Sequence, residues 1–303
     1  MRRKVPMAFL KVDYENSTDV NLYYEDHGSG APVILIHGWP LSSRSWEKQV
    51  PALLDAGFRV ITYDRRGFGE SSKVATGYDD KRLAEDLNKL MTQLDLRDAV
   101  IVGFSMGGVE VARYLGTYGT ERVRKAVFIS AVTPFLLKTE YNPEGIEPST
   151  FDEIRNKIIE DRPKFLSGFF KDFYNVGLFD NISKEALRMN WLVAIAASPT
   201  GTLESVDAWL PDFREVLSRI KIPVLVIHGD SDKTVPIESS GARMPKIIKN
   251  CEYRPIAGGP HGILWTHAAE VNSALLTFLG EPASFGRTMQ PEVLNLTENE
   301  IGH

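Results

Sequence analysis

The sequence AVIVGFSMG, residues 99–107, decides the fold of this chain. An apolar run leads into a Gly-x-Ser-x-Gly pattern, and helical spacing of apolar residues follows as far as Tyr118. A strand, a sharp turn and a helix in this order hold Ser105 in a strained backbone conformation, where side chains at Gly103 or Gly107 would collide. An ordinary serine in a glycine-rich turn is the alternative. The flanking strand and helix favour an exposed, nucleophilic Ser105.

Strand-like and helix-like segments alternate on both sides of this stretch. Further strands are predicted near residues 9–14, 20–25, 32–37, 58–63, 123–130, 222–227 and 251–257, and helices near 46–56, 81–94 and 264–279. The first two strands form a hairpin. Alternation of this kind implies right-handed crossovers. We therefore predict an α/β fold with a mostly parallel eight-stranded sheet and helices on both of its faces.

Residues 134–219 carry no strand pattern and interrupt the alternation. The sequence from Thr150 to Glu153 is typical of a capping box, so we expect a helix from there to about Asp161, and Pro163 suits the start of the next one. Two more helices are predicted at 183–197 and 200–210. The predicted organisation is a discontinuous core (8–133 and 220–280), an inserted helical cap (134–219) and a polar C-terminal extension (281–303).

The composition excludes several classes of protein. Apolar residues make up 43% and charged residues 25%, which are globular values. With a net charge of −5 and scattered basic residues, no nucleic-acid partner is expected. No apolar run is long enough to predict a membrane span. Cys251 is the only cysteine, which excludes an intrachain disulfide and favours a cytoplasmic location. The six histidines show no metal-ligand spacing, so neither a metal nor a cofactor is expected.

A nucleophilic serine needs a base to take its proton and a third group to hold the tautomer of that base. His261 follows the last predicted strand, at the sheet edge where Ser105 is expected. Asp230 and Asp232 both follow the preceding strand, and either could reach an imidazole. Asp230 could instead cap its own turn. The order serine, aspartate, histidine is that of an α/β-hydrolase. His228 is expected only to bond backbone in its turn.

Attack on a carbonyl group also requires two donors for the developing oxyanion. Met106 supplies one N–H, as the residue after the nucleophile. The second should come from the loop after residue 36, where Pro40 has no N–H, so Trp39 is predicted. Each aromatic residue of the cap, taken singly, is better explained by packing in the interior of the cap. A cap that covers an active site nevertheless usually contributes some residues to the wall of the pocket. The candidate pocket residues are Pro40, Phe104, Trp191 and Trp209.

Several motifs together resemble one known family. They are HGWP at 37–40, DRRGFG at 64–69, GFSMGG at 103–108, EVARY at 110–114, HGDSDKTVP at 228–236 and GPHG at 259–262. From about residue 20 to 279 the chain resembles the cofactor-free haloperoxidase, arylesterase and perhydrolase family of α/β-hydrolases. The resemblance implies a serine esterase that forms peracids when hydrogen peroxide replaces water. It also implies that Asp232 is the catalytic acid and that Trp39 and Met106 are the oxyanion donors.

The resemblance has limits that bear on the substrate. No family motif occurs in residues 134–219 or after residue 280, so the sequence leaves open which small ester or acyl compound is bound. Dehalogenases and epoxide hydrolases use an aspartate where this chain has Ser105, which argues against both. The remaining alternatives are a lactonase or amidase of the same mechanism, and a binding protein or receptor with little turnover. The oligomeric state is also open.

Overall fold

The computed structural model describes residues 8–177 and 182–281, which form an eight-stranded sheet covered by helices. The strands are β1 (Ala8–Glu15), β2 (Thr18–His27), β3 (Pro32–Ile36), β4 (Arg59–Tyr63), β5 (Ala99–Phe104), β6 (Val123–Ile129), β7 (Val224–Gly229) and β8 (Cys251–Ile256). Their order across the sheet is β1-β2-β4-β3-β5-β6-β7-β8. Strands β3 to β8 pair in parallel, whereas β1 and β2 are antiparallel and extend the sheet beyond β4. The predicted fold class is confirmed.

The central strands are buried along their whole length. Every residue of β3, β5 and β7 is buried, which explains why these segments are continuous apolar runs without alternation. Because neighbouring strands run in parallel, the carboxyl ends of β5, β7 and β8 lie at one edge of the sheet. Ligands of open α/β sheets bind outside this edge. The loops that follow these strands carry the residues expected to form the site.

Helices connect the strands and fill the long insertion. They are α1 (Gln49–Asp55), α2 (Asp80–Gln93), α3 (Gly107–Tyr118), α4 (Pro148–Phe173), α5 (Lys184–Ile195), α6 (Pro199–Glu204), α7 (Arg214–Ser218), α8 (Met244–Ile247), α9 (Ile263–Thr266) and α10 (Ala268–Leu279). Between β6 and β7 the described chain forms helices α4 to α7 and no sheet strand. None of the helices in the described ranges is both long and apolar enough to cross a membrane.

Helix α4 is bent at Asp161, whose φ of −157° and ψ of 82° are not helical. Pro163 follows two residues later, and proline inside a helix removes one hydrogen bond and clashes with the preceding turn. The Asp161 carboxylate accepts a hydrogen bond from the Lys164 N–H at 3.0 Å, as an N-cap of the second half would. The start of a helix at Pro163 was expected from the sequence.

Three boundaries differ from the expectation. Helix α4 begins at Pro148 and its N-cap makes no side-chain bond, so Thr150 lies inside the helix and the predicted capping box is wrong. Proline suits a first helical turn because its φ is already helical. Residues 200–210 form α6 and a separate 3₁₀ turn instead of one helix. The final helix is interrupted at His267. The division into core and cap stays a prediction, and residues 282–303 of the predicted extension lie outside the described ranges.

Candidate active site

Ser105 lies in the turn between β5 and α3, with a backbone φ of 54° that residues other than glycine rarely adopt. The glycines beside it are sterically required. A Cβ at Gly103 would lie 2.5 Å from the carbonyl carbon of Gly107, and a Cβ at Gly107 would lie 2.4 Å from the carbonyl oxygen of Ile36. The Ser105 N–H donates to the Ile129 carbonyl at 2.8 Å. The backbone around Ser105 is therefore fixed independently of its hydroxyl group.

His261 connects Ser105 to Asp232. Its Nε2 lies 2.8 Å from the Ser105 Oγ, and its Nδ1 lies 2.7 Å from Asp232 Oδ2. Both ring nitrogens are thus within hydrogen-bond distance of their partners, and the imidazole is fully buried. This is the geometry in which one nitrogen accepts the serine proton while the other donates to a carboxylate.

Each carboxylate oxygen of Asp232 has two polar neighbours. Oδ1 accepts hydrogen bonds from the N–H groups of Thr234 (2.9 Å) and Val235 (2.7 Å). Oδ2 lies 3.1 Å from Nε2 of His228 in addition to its contact with His261. Burial by itself raises the pKa of Asp232, but the charge of His261 and the hydrogen bonds from His228 and His261 outweigh it and lower the pKa to about 2.

The lowered pKa of Asp232 has a consequence for stability as well as for charge. Since the folded-state pKa lies below the ordinary value of 3.8, the carboxylate contributes to the free energy of unfolding above that pH. This contribution is lost as the pH falls toward about 2. At neutral pH the group facing His261 is therefore a carboxylate.

Asp230 lies apart from this arrangement. Its side chain is exposed, and Oδ1 accepts a hydrogen bond from the Gly258 N–H at 2.7 Å. It therefore ties the loop after β7 to the loop after β8 and does not cap its own backbone, contrary to the expectation. Of the two aspartates that the sequence left open, Asp232 is the one hydrogen-bonded to His261.

The structure also shows a contact of His228 that the sequence did not suggest. As predicted, its ring bonds backbone, since Nε2 lies 2.9 Å from the Val235 carbonyl oxygen. The same nitrogen is close to Asp232, and the imidazole is fully buried. A histidine before a glycine at a strand end gives no sequence signal for this second partner, because the contact depends on how the following loop folds back.

Trp39 and Met106 carry the two backbone N–H groups predicted to face the oxyanion. Among the described residues, neither N–H donates a hydrogen bond to another protein atom. The Trp39–Pro40 peptide bond is cis. The Trp39 indole Nε1 donates to the carbonyl of Thr202 in α6 at 3.0 Å, so the loop after β3 is attached to the cap segment.

A buried ion pair joins the Trp39 loop to the helix that follows Ser105. The Nε of Arg65 donates to Glu110 of α3 at 2.6 Å, and its Nη2 donates to the His37 carbonyl at 2.7 Å. Both charged side chains are only 1% exposed. Nothing in the sequence signals this contact, because a glutamate in the first turn of a helix ordinarily needs no partner. The pair fixes the position of the loop relative to α3.

We expect Glu110→Gln to lower the free energy of unfolding by about 3 to 5 kcal/mol, because it leaves the buried charge of Arg65 without its partner. Chemical denaturation measures the change. Glu215→Gln is the matched control, since its ion pair with Arg219 is three-quarters exposed and such pairs contribute about 1 kcal/mol or less. Equal losses in the two variants would contradict the role of the buried pair.

A cavity of about 590 Å³ opens above Ser105. Its wall includes Trp39, Val132 and Val235 from the sheet loops and a long face of α4. Of the predicted pocket residues, Trp209 lines this cavity, and its ring centroid lies 5.2 Å from that of Trp39. The cavity therefore brings the candidate nucleophile, a proposed oxyanion donor and the aromatic cap residues together.

Pro40, Phe104 and Trp191 are not part of the cavity wall, so their prediction as pocket residues is corrected. Phe104 is the last residue of β5, and its ring packs against the His261 ring, with the two centroids 5.4 Å apart. Trp191 donates its Nε1–H to the Pro163 carbonyl at 3.2 Å and holds α5 against α4. Pro40 is buried within its loop.

The fold and this site define an α/β-hydrolase. The chain belongs to that family, since the family model described as alpha/beta hydrolase fold matches residues 31–268, and it is therefore an enzyme. It is 41% identical over 266 residues to the non-heme chloroperoxidase CPO-A1 of Kitasatospora aureofaciens, with coverage of 86% of this chain and 97% of the relative. It is 38% identical over 267 residues to the bifunctional esterase/perhydrolase DCH of Acinetobacter calcoaceticus, covering 86% and 96%.

Among solved structures, bromoperoxidase from Bacillus anthracis is similar throughout the same region. The TM-score is 0.87 and the sequence identity is 50%, with coverage of 90% of this chain and 99% of the bromoperoxidase. The resemblance inferred from the sequence motifs is thereby confirmed.

Proposed function

We propose that this enzyme hydrolyses small carboxylic esters through an acyl-enzyme on Ser105. The observation that carries the proposal is the continuous hydrogen-bonded arrangement of Ser105, His261 and Asp232 beside an open cavity. The family, and the name of the Acinetobacter relative, support ester chemistry.

The proposed first step is attack of the Ser105 oxygen on the ester carbonyl carbon. His261 Nε2 takes the serine proton, and the charged Asp232 stabilises the resulting imidazolium. In this proposal the N–H groups of Trp39 and Met106 donate to the oxyanion. When the carbon–oxygen bond to the leaving group breaks, His261 returns its proton to the departing alcohol, and an ester to Ser105 remains.

Water then attacks the acyl-enzyme, with His261 acting as the base. The carboxylic acid leaves and the proton returns to the Ser105 oxygen. We further propose that hydrogen peroxide can replace water in this step, which yields a peracid and free Ser105 without any change of oxidation state in the protein. The relatives named chloroperoxidase and esterase/perhydrolase support this second activity. Any halide would then be oxidised by the released peracid.

The test of the proposal combines labelling with turnover. A fluorophosphonate should modify Ser105, and p-nitrophenyl acetate should be cleaved over many cycles per enzyme molecule. A single burst without further turnover would contradict the esterase proposal. Lactones and amides follow the same chemical steps, so a parallel series of esters, lactones and amides, each with and without peroxide, identifies the preferred acyl compound.

Pro40→Leu is expected to lower the ratio of peracid formation to ester hydrolysis about fivefold. Proline fixes its own φ and restricts the preceding residue, so it holds the Trp39 carbonyl in one direction. No described group donates a hydrogen bond to that carbonyl, which leaves it available to the distal O–H of an attacking peroxide. One hydrogen bond of about 1 kcal/mol accounts for a change of this size.

The two rates are measured on the same acyl substrate, with peracid assayed separately from acid. An unchanged ratio in the Pro40→Leu variant would mean that the proline only stiffens its loop. The protein would then be described better as a carboxylesterase without a built-in preference for peroxide.

We also propose the division into a core of residues 8–133 and 220–280 and a cap of residues 134–219. The absence of sheet strands between β6 and β7 in the described chain supports it. A cytoplasmic location is proposed on the single cysteine, which requires no oxidising compartment.

A further inference from the structure

Gly168 lies in the second half of α4 and borders the cavity, yet nothing in its surroundings requires a glycine. It is not among the glycines with positive φ. A Cβ added to it would meet no atom within 4 Å, in contrast to Gly103 and Gly107. Glycine is one of the least favourable residues inside a helix. Glycine at this position therefore lowers the stability of the helix and leaves open space at the cavity wall.

The open space borders the same cavity as Ser105. Phe165, Gly168, Phe169 and Asp172 all border the cavity, and their spacing places them on one face of the helix. The rings on either side of Gly168 pack against the Trp39 ring, with centroid distances of 6.3 Å for Phe165 and 5.2 Å for Phe169. Gly168 is itself exposed, so a side chain at this position would narrow the open side of the cavity, next to the two rings that contact Trp39.

We infer that Gly168 is a specificity-determining residue that keeps room for a bulky, neutral and apolar group of the ester. This inference rests on the proposed esterase function. A cavity of about 590 Å³ is in the range that holds drug-sized molecules, and an acetyl group fills little of it. The charged residues of its wall, among them Lys157, Glu160 and Lys164, are exposed and of both signs, so they select no charged substrate.

The test compares kcat/KM for p-nitrophenyl octanoate with that for p-nitrophenyl acetate. In Gly168→Leu the octanoate-to-acetate ratio should fall by about tenfold or more, since leucine fills the space of the longer chain. Gly168→Ala should change the ratio less and should raise Tm by about 1 to 3 °C through better helix propensity. Ser167→Leu is the matched control, because Ser167 and Gly168 are both exposed but only Gly168 borders the cavity, so the ratio should stay within about twofold.

Equal ratios in the two leucine variants would overturn the inference. If the native enzyme turns over neither ester, the proposed function fails and the inference is tested by chemical labelling. Ethyl and octyl fluorophosphonates both need only a reactive Ser105, and Gly168→Leu must then slow the octyl reagent selectively. Equal slowing of the two reagents would overturn the inference in this case as well.

Discussion

Replacing Ser105 with alanine is expected to lower kcat for p-nitrophenyl acetate by about 10⁴ to 10⁶-fold. The variant loses the oxygen proposed to form the acyl-enzyme, while the cavity and the two proposed oxyanion donors stay in place. The fold should be preserved, because the turn is determined by Gly103 and Gly107 and by the backbone bond from the Ser105 N–H. Steady-state kinetics and the circular dichroism spectrum measure the two expectations separately.

Ser130→Ala is the control for Ser105→Ala. Ser130 is also buried at a strand end with a positive φ of 44°, and its hydroxyl has no hydrogen-bond partner among the described residues. It does not border the cavity, so its replacement should change kcat by less than about threefold. Retention of more than a few per cent of activity in Ser105→Ala would refute the acyl-enzyme mechanism.

Asp232→Asn should lower kcat by about 10⁴-fold without removing any of the backbone contacts of residue 232. The asparagine oxygen can still accept from the N–H groups of Thr234 and Val235, which directs its amide N–H toward His261. The imidazole must then present an unprotonated Nδ1 and carry its proton on Nε2. In that tautomer His261 cannot take the proton of Ser105.

Asp230→Asn distinguishes a specific effect from a general loss of acidic charge near the site. Its side chain accepts a hydrogen bond from the Gly258 N–H and does not contact His261, so we expect kcat to change by less than about threefold. Similar losses in both variants would leave no special role for Asp232. A larger loss at position 230 would reverse the assignment of the acid.

The sequence predicts those parts of the site that short motifs determine. The turn at Ser105 needs glycines at fixed positions, and the loops that carry Asp232 and His261 follow strands whose carboxyl ends must meet at one edge. The choice between Asp230 and Asp232 does not follow from the residues alone. It depends on which way each side chain leaves the same turn, and only the family resemblance selected Asp232.

Other features depend on packing between distant segments. Arg65 and Glu110 lie 45 positions apart, so no local sequence pattern indicates that they form a pair. Phe104 and Trp191 are both predicted from the sequence to line the pocket. In the structure the Phe104 ring packs against the His261 ring, and Trp191 holds α5 against α4. Residue type and spacing give no information about these orientations.

The indole contact from Trp39 to Thr202 has a consequence for evolution and engineering. One residue provides both a proposed oxyanion N–H and an attachment point for the cap segment, with Phe169 and Trp209 around its ring. A cap exchanged between homologues to change the accepted substrate would therefore also disturb the turnover rate, unless the residues around this indole were transferred with it. In this architecture a change of substrate selectivity through the cap is therefore coupled to a change of turnover rate.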